Sequence, residues 1–155
     1  MTVTPVRTAE PTMKTTTSEA EADHGLLDGE PIEFAAGIPG FPACRRFRLE
    51  HLAPELAPFC RMRSVEEPEI GFVVVAPGAL FADYTVEIDE QHVVSLGLDS
   101  ADDALVMVVV TLGDPPTANL LGPIVVNRRT RAAAQVVQYQ ASYRAAEPLT
   151  SRSED

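Results

Sequence analysis

The sequence predicts an all-β fold: a single barrel-like domain of mainly antiparallel strands with one or two short helices. Short runs of alternating or continuous apolar residues recur along the chain, and turns rich in Gly and Pro separate them. This pattern is typical of closed antiparallel sheets. The length of 155 residues fits one domain, and the apolar content of 45% suffices for one core.

The two ends of the chain differ in composition from the middle. Residues 1–28 mix Thr, Ser, Glu, Ala and Pro without a periodic apolar signal, which predicts a disordered acidic tail. The β domain is expected to span residues 29–149. A flexible C-terminus is expected at residues 150–155.

The domain is predicted to open with two strands around a tight turn. Residues 31–34 alternate between apolar and polar types. Two glycines around a proline at residues 37–41 indicate a backbone reversal, after which Phe41 is expected to enter the core. Residues 45–49 alternate again, so their arginines are expected to face water.

Three further strands are predicted in the middle of the chain. Residues 59–63 alternate, but Phe59 and Met62 both point inward only if a bulge or turn intervenes, because their separation is odd. Residues 70–75 are apolar on both faces, as expected of a central strand. Residues 83–88 are interpreted as the next strand.

A short helix is predicted at residues 90–96. Asp89 can cap its first turn, and Ile88 and Val93 are placed as a hydrophobic staple. Gly97 suits the left-handed position that ends a helix.

The last strands surround a basic turn. Residues 104–112 form a long apolar run and predict a buried strand, and residues 123–127 predict another. The arginines at residues 128–131 predict a turn, from which residues 134–139 return antiparallel. Residues 132–145 could alternatively be helical, because apolar and aromatic residues recur there at spacings of three and four. The hairpin-sized turn before them favours a strand.

Carboxylates concentrate in one part of the chain. Residues 64–127 contain no Lys or Arg but eleven Asp and Glu, and the net charge of the whole chain is also -11. The most apolar strands lie in the same segment, so the sequence predicts a domain that presents an acidic face rather than a catalytic cleft. A basic protein is the expected partner, and RNA and DNA are expected to be repelled.

Other functional sites find little support in the sequence. His24, His51 and His92 are far apart, without the spacing of a metal site. GxSxG, GxGxxG and phosphate-loop motifs are missing from the sequence. No cofactor is therefore expected.

Cysteine usage and hydropathy predict a cytoplasmic protein without a membrane segment. Cys44 and Cys60 are sixteen positions apart without a CxxC motif, and no signal-like leader opens the sequence. The longest apolar run is nine residues, which is too short to span a bilayer as a helix.

Three blocks of sequence between residues 31 and 149 carry a family resemblance. The first block is Phe34 with Gly37-Ile38-Pro39-Gly40-Phe41; the second is Pro58-Phe59, residues 64–70, residues 72–77 and Asp83-Tyr84; the third is Thr117-Ala118-Asn119-Leu120, Pro123-Ile124-Val125-Val126-Asn127 and Gln135-Val136-Val137. Each block alone is a weak motif. In this order and spacing, the chain resembles the flagellar assembly factor FliW family of bacteria.

The resemblance implies a monomeric, mostly β, barrel-like protein without catalytic activity. It also implies that the chain binds the small RNA-binding carbon storage regulator CsrA, relieves its repression of flagellin translation, and binds flagellin. This sequence departs from the family pattern in two places. About thirty tail residues precede the first expected strand, and Arg61 and Arg63 stand where an apolar or aromatic residue and a neutral polar residue are expected.

Nine residues are the candidates for contacting a protein partner. They are Glu66, Glu69, Phe81, Asp83, Tyr84, Asp102, Asp103, Thr117 and Asn119. Phe81 and Tyr84 are expected to be exposed anchors. Asn119, like Asn127, is interpreted either as an interface group or, preferably, as a turn residue that bonds its own backbone. The carboxylates are interpreted either as the docking face or as a solvated surface that keeps the protein soluble.

Two other functions remain open from the sequence alone. A small β-barrel enzyme or cofactor-binding protein would show a concave polar pocket with perturbed ionisable groups. A chaperone that binds flagellin alone would form no complex with the regulator.

Overall fold

The structure, a computed structural model, describes residues 13–15, 31–38, 40–56, 58–81, 84–139 and 143–149. The α-helix of these ranges is α1 (Glu90–Leu96). Their strands are β1 (Met13–Thr15), β2 (Ile32–Phe34), β3 (Arg46–His51), β4 (Cys60–Ser64), β5 (Gly71–Val75), β6 (Val86–Ile88), β7 (Ala104–Thr111), β8 (Thr117–Ala118), β9 (Ile124–Asn127), β10 (Ala132–Gln135) and β11 (Glu147–Pro148).

Seven strands close into a barrel. Their order is β7-β5-β4-β3-β2-β10-β9, and β9 pairs back onto β7. All neighbours in this ring are antiparallel except β10 and β2, which run parallel. The predicted all-β, barrel-like, mainly antiparallel fold is therefore confirmed. Closure removes the free edges that an open sheet would expose to pairing with another chain.

The remaining strands lie outside this ring. β8 pairs with the last residues of β7, and β11 pairs with β8. β6 pairs with β1, which lies inside the segment predicted as a disordered tail. Most of that segment and residues 150–155 lie outside the described residues, so the prediction for them stays a prediction.

β7 is buried on both faces, as its continuous apolar run predicts. Leu105 and Met107 point into the barrel with the aromatic rings of β2 and β3. Val106 and Val108 point outward into a second apolar layer, which contains residues of β6 and α1. The barrel thus has a filled interior and an apolar cover on one side.

The predicted helix is confirmed, with both of its ends. The Asp89 side chain accepts a hydrogen bond from the His92 backbone N–H at 2.8 Å. Gly97 has φ of 69° and ends the helix in the left-handed conformation. Ile88 and Val93 pack in the same outer layer, as the proposed staple requires.

Several predicted strands have different bounds; the strand predicted at residues 83–88, for example, is β6, residues 86–88. β4 begins at Cys60, so Cys60 and Met62 point inward in register and Phe59 precedes the strand. The predicted strand at residues 134–139 is β10, residues 132–135, and is antiparallel to β9. After β10 the backbone N–H of Gln138 donates to Leu121 O at 2.8 Å instead of continuing the sheet.

Two apolar residues that were expected inside are exposed. Phe41 is 38% exposed and lies edge-on against Phe72, with the ring centroids 5.6 Å apart. The prediction that Phe41 enters the core is wrong, because Phe47 and Phe72 already occupy this part of the barrel. Leu112 is 73% exposed, since β7 ends one residue earlier, at Thr111.

Candidate partner-binding surface

Carboxylates of the acidic block lie at both ends of the barrel. The turn at residues 65–70 joins β4 to β5, and the pairing of Val73 with Val110 places it where β7 finishes. Asp103 directly precedes β7, at the other end. Asp103 and Leu112 flank the eight residues of β7 and are nine positions apart, about 30 Å at about 3.3 Å per residue. The prediction of one continuous acidic face is therefore wrong.

At the end where β7 begins, which we call the β7-entry end, an arginine from outside the block forms ion pairs with two of the carboxylates. Arg129 lies 3.1 Å from the Asp99 carboxylate and 3.3 Å from the Asp103 carboxylate. Asp103 also accepts hydrogen bonds from the backbone N–H groups of Asp99 and Ser100. Asp102 is exposed and makes no ion pair with a described residue. Of these three carboxylates, that of Asp102 is therefore the one without an ion pair to a described residue.

The ion pair at this end predicts a pH dependence of stability. The hydrogen bond from the Arg129 side chain, with those from the backbone, holds the pKa of Asp103 below its ordinary value of 3.8. A carboxyl whose pKa is lower in the folded state stabilises the fold above its unfolded pKa, and this contribution is lost as the pH falls through the folded pKa. Arg129→Gln should therefore lower the free energy of unfolding at about pH 7 and flatten its decline below about pH 4.

Urea denaturation at about pH 7 and about pH 3 measures this effect. Arg144→Gln is the matched control, because Arg144 is exposed and its side chain contacts no described ionisable residue. Equal pH profiles for the Arg129 variant and the unchanged protein would contradict the assignment.

At the other end, which we call the β4–β5 end, exposed carboxylates lie near an exposed apolar side chain. Glu66 is held by the backbone N–H of Arg46 at 3.2 Å and by its Nε at 3.3 Å. Glu69 and Asp114 are exposed and make no ion pair with a described residue. Leu112 is the exposed apolar residue at this end. This combination of carboxylates and an apolar side chain suits a protein interface.

The predicted aromatic anchors are not both available to a partner. Tyr84 is 5% exposed, and its hydroxyl donates a 2.6 Å hydrogen bond to Leu120 O. Burial raises the pKa of this hydroxyl. The prediction that Tyr84 is an exposed anchor is therefore wrong, because its ring packs against Tyr143. Phe81 is half-buried against the outer apolar layer, and Asp83 lies outside the described residues.

The predicted polar residues mostly serve the fold. Oδ1 of Asn119 accepts hydrogen bonds from the backbone N–H groups of Leu121 and Gly122 at 3.1 and 2.9 Å. This confirms the preferred interpretation of Asn119 as a turn residue. Thr117 is half-buried on β8, opposite Thr111.

Asn127 joins the helix to the barrel. Its Nδ2 donates to Leu96 O and Gly97 O at 2.7 and 3.2 Å. Its Oδ1 accepts from the backbone N–H of Arg129 at 2.8 Å. Asn127 is fully buried, so it is a structural residue and not an interface residue.

One groove of about 350 Å³ lies between the turn that follows β2, α1 and β10. Of the described residues that line it, His92 is the only ionisable one, and it contacts the Asp89 carboxylate at 3.0 Å. The described ranges contain no group of three or more His, Cys, Asp or Glu side chains placed to hold a metal ion. No helix in these ranges is long and apolar enough to cross a membrane.

Sequence reasoning missed Leu112 and Arg129. The apolar run at residues 104–112 predicts Leu112 as the end of a buried strand, whereas β7 ends at Thr111 and leaves Leu112 exposed. Arg129 lies 26 residues from Asp103, and the two meet because β9 closes the barrel onto β7. The basic turn was visible in the sequence, but its acidic neighbours were not.

Comparisons with known proteins agree with this fold. A family model described as FliW protein matches residues 12–149, a range that includes β1. The chain is 38% identical over 127 residues to the flagellar assembly factor FliW of Bacillus licheniformis, covering 80% of this chain and 88% of that protein. It is 37% identical over 136 residues to the flagellar assembly factor FliW of Bacillus subtilis, covering 84% and 94%.

A solved structure gives the same result. The crystal structure of the flagellar assembly factor FliW superposes with a TM-score of 0.71 at 31% sequence identity, covering 88% of this chain and 96% of that chain. Fold, family model and sequence identity together confirm the resemblance found in the three sequence blocks. The chain belongs to the FliW family of flagellar assembly factors.

Proposed function

We propose that this chain is a monomeric, non-enzymatic, cytoplasmic assembly factor that binds the RNA-binding regulator CsrA, relieves its repression of flagellin translation, and also binds flagellin. Family membership supports the role. The observation that carries the proposal is the β4–β5 end, where Glu69 and Asp114 stay without an ion pair among the described residues and Leu112 is 73% exposed.

The chemistry of this end suits a basic protein. Exposed carboxylates speed the encounter with a cationic surface and orient it, while an apolar side chain supplies most of the lasting affinity. A docked acidic surface also repels RNA phosphates, so it can oppose RNA binding without occupying the RNA site. The β7-entry end is the weaker candidate, because Arg129 already engages Asp99 and Asp103.

A titration with purified CsrA tests the proposal and locates the surface. Glu69→Lys is expected to slow association about tenfold at low salt, and the effect should shrink at high salt. Asp102→Lys is the matched control, because it makes the same charge change on an exposed carboxylate at the β7-entry end. Leu112→Ala should speed dissociation about tenfold, through the loss of an apolar contact.

The possible results of this titration test regulator binding and the position of the binding surface separately. No complex at micromolar concentration would contradict regulator binding altogether. Slower association for Asp102→Lys but not for Glu69→Lys would keep the function and move the surface to the β7-entry end. Adding flagellin to the preformed complex then tests whether flagellin and the regulator compete, as the proposed dual role requires.

A further inference from the structure

The last described residues of the chain lie outside the ring of barrel strands. We call residues 143–149 the C-terminal strap; they include β11, which pairs with β8 and is the outermost strand on that side of the sheet. The other edge of β8 pairs with β7. The ring itself closes through β9 and β7. Release of the C-terminal strap would therefore break none of the pairings that close the barrel.

Hydrogen bonds at both of its ends hold the C-terminal strap. At its first residue, the hydroxyl of Tyr143 accepts a hydrogen bond from the backbone N–H of Thr85 at 3.2 Å and donates one to Thr85 O at 3.1 Å. The ring of Tyr143 lies against that of Tyr84, with the centroids 4.6 Å apart. At its last residue, the backbone N–H of Leu149 donates to Pro116 O at 3.0 Å. The C-terminal strap therefore joins the segment before β6 to the segment between β7 and β8.

The C-terminal strap has little of the burial that stabilises the barrel. Every one of its residues is half-buried or exposed, and residues 144–146, between its two ends, are exposed. Its strand β11 is two residues long, and one of them is Pro148, which has no backbone N–H to donate. Segments with few buried contacts open locally at a lower free energy than the core of the same protein. The C-terminal strap is therefore expected to open while the barrel stays closed.

The C-terminal strap reaches the β4–β5 end through residues 112–117. Leu112 and Asp114, which the proposed function places in the binding surface, belong to the segment that joins β7 to β8. The far end of this segment is fixed by the hydrogen bond from Leu149 and by the pairing of Thr117 with Pro148. Opening of the C-terminal strap removes both of these contacts.

We propose that the C-terminal strap regulates the β4–β5 end by opening and closing as a unit. Closed, it holds residues 112–117 in the conformation that a partner binds. Open, it releases them and uncovers Tyr84 and the outer edge of β8. A partner that binds the closed form opposes opening, and by the reciprocity of linkage an open strap weakens the binding of that partner. The regulation rests on the proposed binding of the regulator, whereas the opening does not.

Amide hydrogen exchange of the free chain, resolved by NMR, tests the opening. The backbone N–H of Leu120 donates to Arg144 O at 2.9 Å, so the amides of Leu120 and Leu149 are both protected by the closed strap. Both should exchange at least about tenfold faster than the amides of β4. Tyr143→Phe should speed both about tenfold further, because it keeps the ring and removes the hydroxyl that holds Thr85. Slower exchange at Leu120 and Leu149 than in β4 would overturn the inference without any substitution.

Two controls accompany the Tyr143→Phe measurement. The backbone N–H of Asn119 bonds to β7 instead, at Val109 O and 2.9 Å, so its exchange should change by less than about twofold. Tyr139→Phe makes the same substitution at a side chain that is 86% exposed, and it should leave exchange at all of these amides unchanged. An effect of Tyr143→Phe confined to Thr85, or an equal effect at Asn119, would contradict opening as a separate unit.

Exchange in the presence of purified CsrA tests the regulation. At about ten times its Kd, CsrA should slow exchange about tenfold at Thr85, Leu120 and Leu149 if it binds the closed form alone. Thr85 decides the result, because it contacts the first residue of the C-terminal strap, whereas the β4–β5 end adjoins the last. Unchanged exchange at Thr85 in a saturated complex would overturn the regulation and leave the proposed function intact. Failure to form a complex would overturn the proposed function and the regulation together, and the free chain alone would then decide whether the strap opens.

Discussion

Phe47→Ala is expected to lower the free energy of unfolding by about 4 kcal/mol. Phe47 is fully buried in the barrel interior. The centroid of its ring lies 5.5 Å from that of Phe34, in an edge-on arrangement, and 6.1 Å from that of Phe72. Truncation removes the buried ring and leaves a cavity that rigid neighbouring strands cannot fill. Chemical denaturation measures the change.

Phe41→Ala is the matched control for this prediction. Phe41 contacts the same aromatic group from outside, but it is 38% exposed. Its truncation should lower the free energy of unfolding by less than about 1 kcal/mol, because much of the ring is already in water. Equal losses of unfolding free energy for the two variants would contradict this prediction, because Phe41 would then contribute as much to the core as Phe47.

Asn127→Ala is expected to lower the free energy of unfolding by about 3 kcal/mol. The buried amide makes hydrogen bonds to the last carbonyls of α1 and to the turn that follows β9. Alanine would leave the carbonyl of Leu96 and the backbone N–H of Arg129 without these partners. Unsatisfied buried polar groups are more costly than the loss of a solvent-exposed hydrogen bond.

Asn119→Ala separates this effect from the loss of an ordinary turn residue. Asn119 is half-buried, and among the described residues its side chain accepts hydrogen bonds only from Leu121 and Gly122, within its own turn. A loss of about 1 kcal/mol is expected. Equal losses for the two variants would contradict the role of Asn127 in joining α1 to the barrel. Circular dichroism of Asn127→Ala adds a second readout, because a detached α1 would reduce the helical signal.

Local chemistry made parts of this fold predictable from the sequence. The ends of α1 follow from residues within a single turn, since Asp89 satisfies a free backbone N–H and Gly97 adopts a positive φ. The continuous apolar run of β7 predicted burial on both faces, which the two apolar layers confirm. The hairpin-sized turn before residues 134–139 also favours a strand over a helix, and the observed strand β10, residues 132–135, overlaps that range.

Exposure and charge pairing depended on contacts that the sequence does not reveal. Tyr84 was expected to be exposed but is buried, and Phe41 was expected to be buried but is exposed. Which of the two rings is covered depends on the strands that pack beside it. The sequence of residues 64–127 contains no Lys or Arg, yet Arg46 and Arg129, from other parts of the chain, form ion pairs with carboxylates of this block. Barrel closure between β9 and β7 creates the second of these contacts, and no periodicity encodes that closure.

Hydrogen–deuterium exchange of the chain, free and bound to CsrA, tests the account most directly. Slower exchange is expected at residues 65–70 and 111–114, at the β4–β5 end, with little change at residues 99–103. Protection confined to residues 99–103, or no protection in either region when the complex is saturated, would contradict the location of the regulator-binding surface.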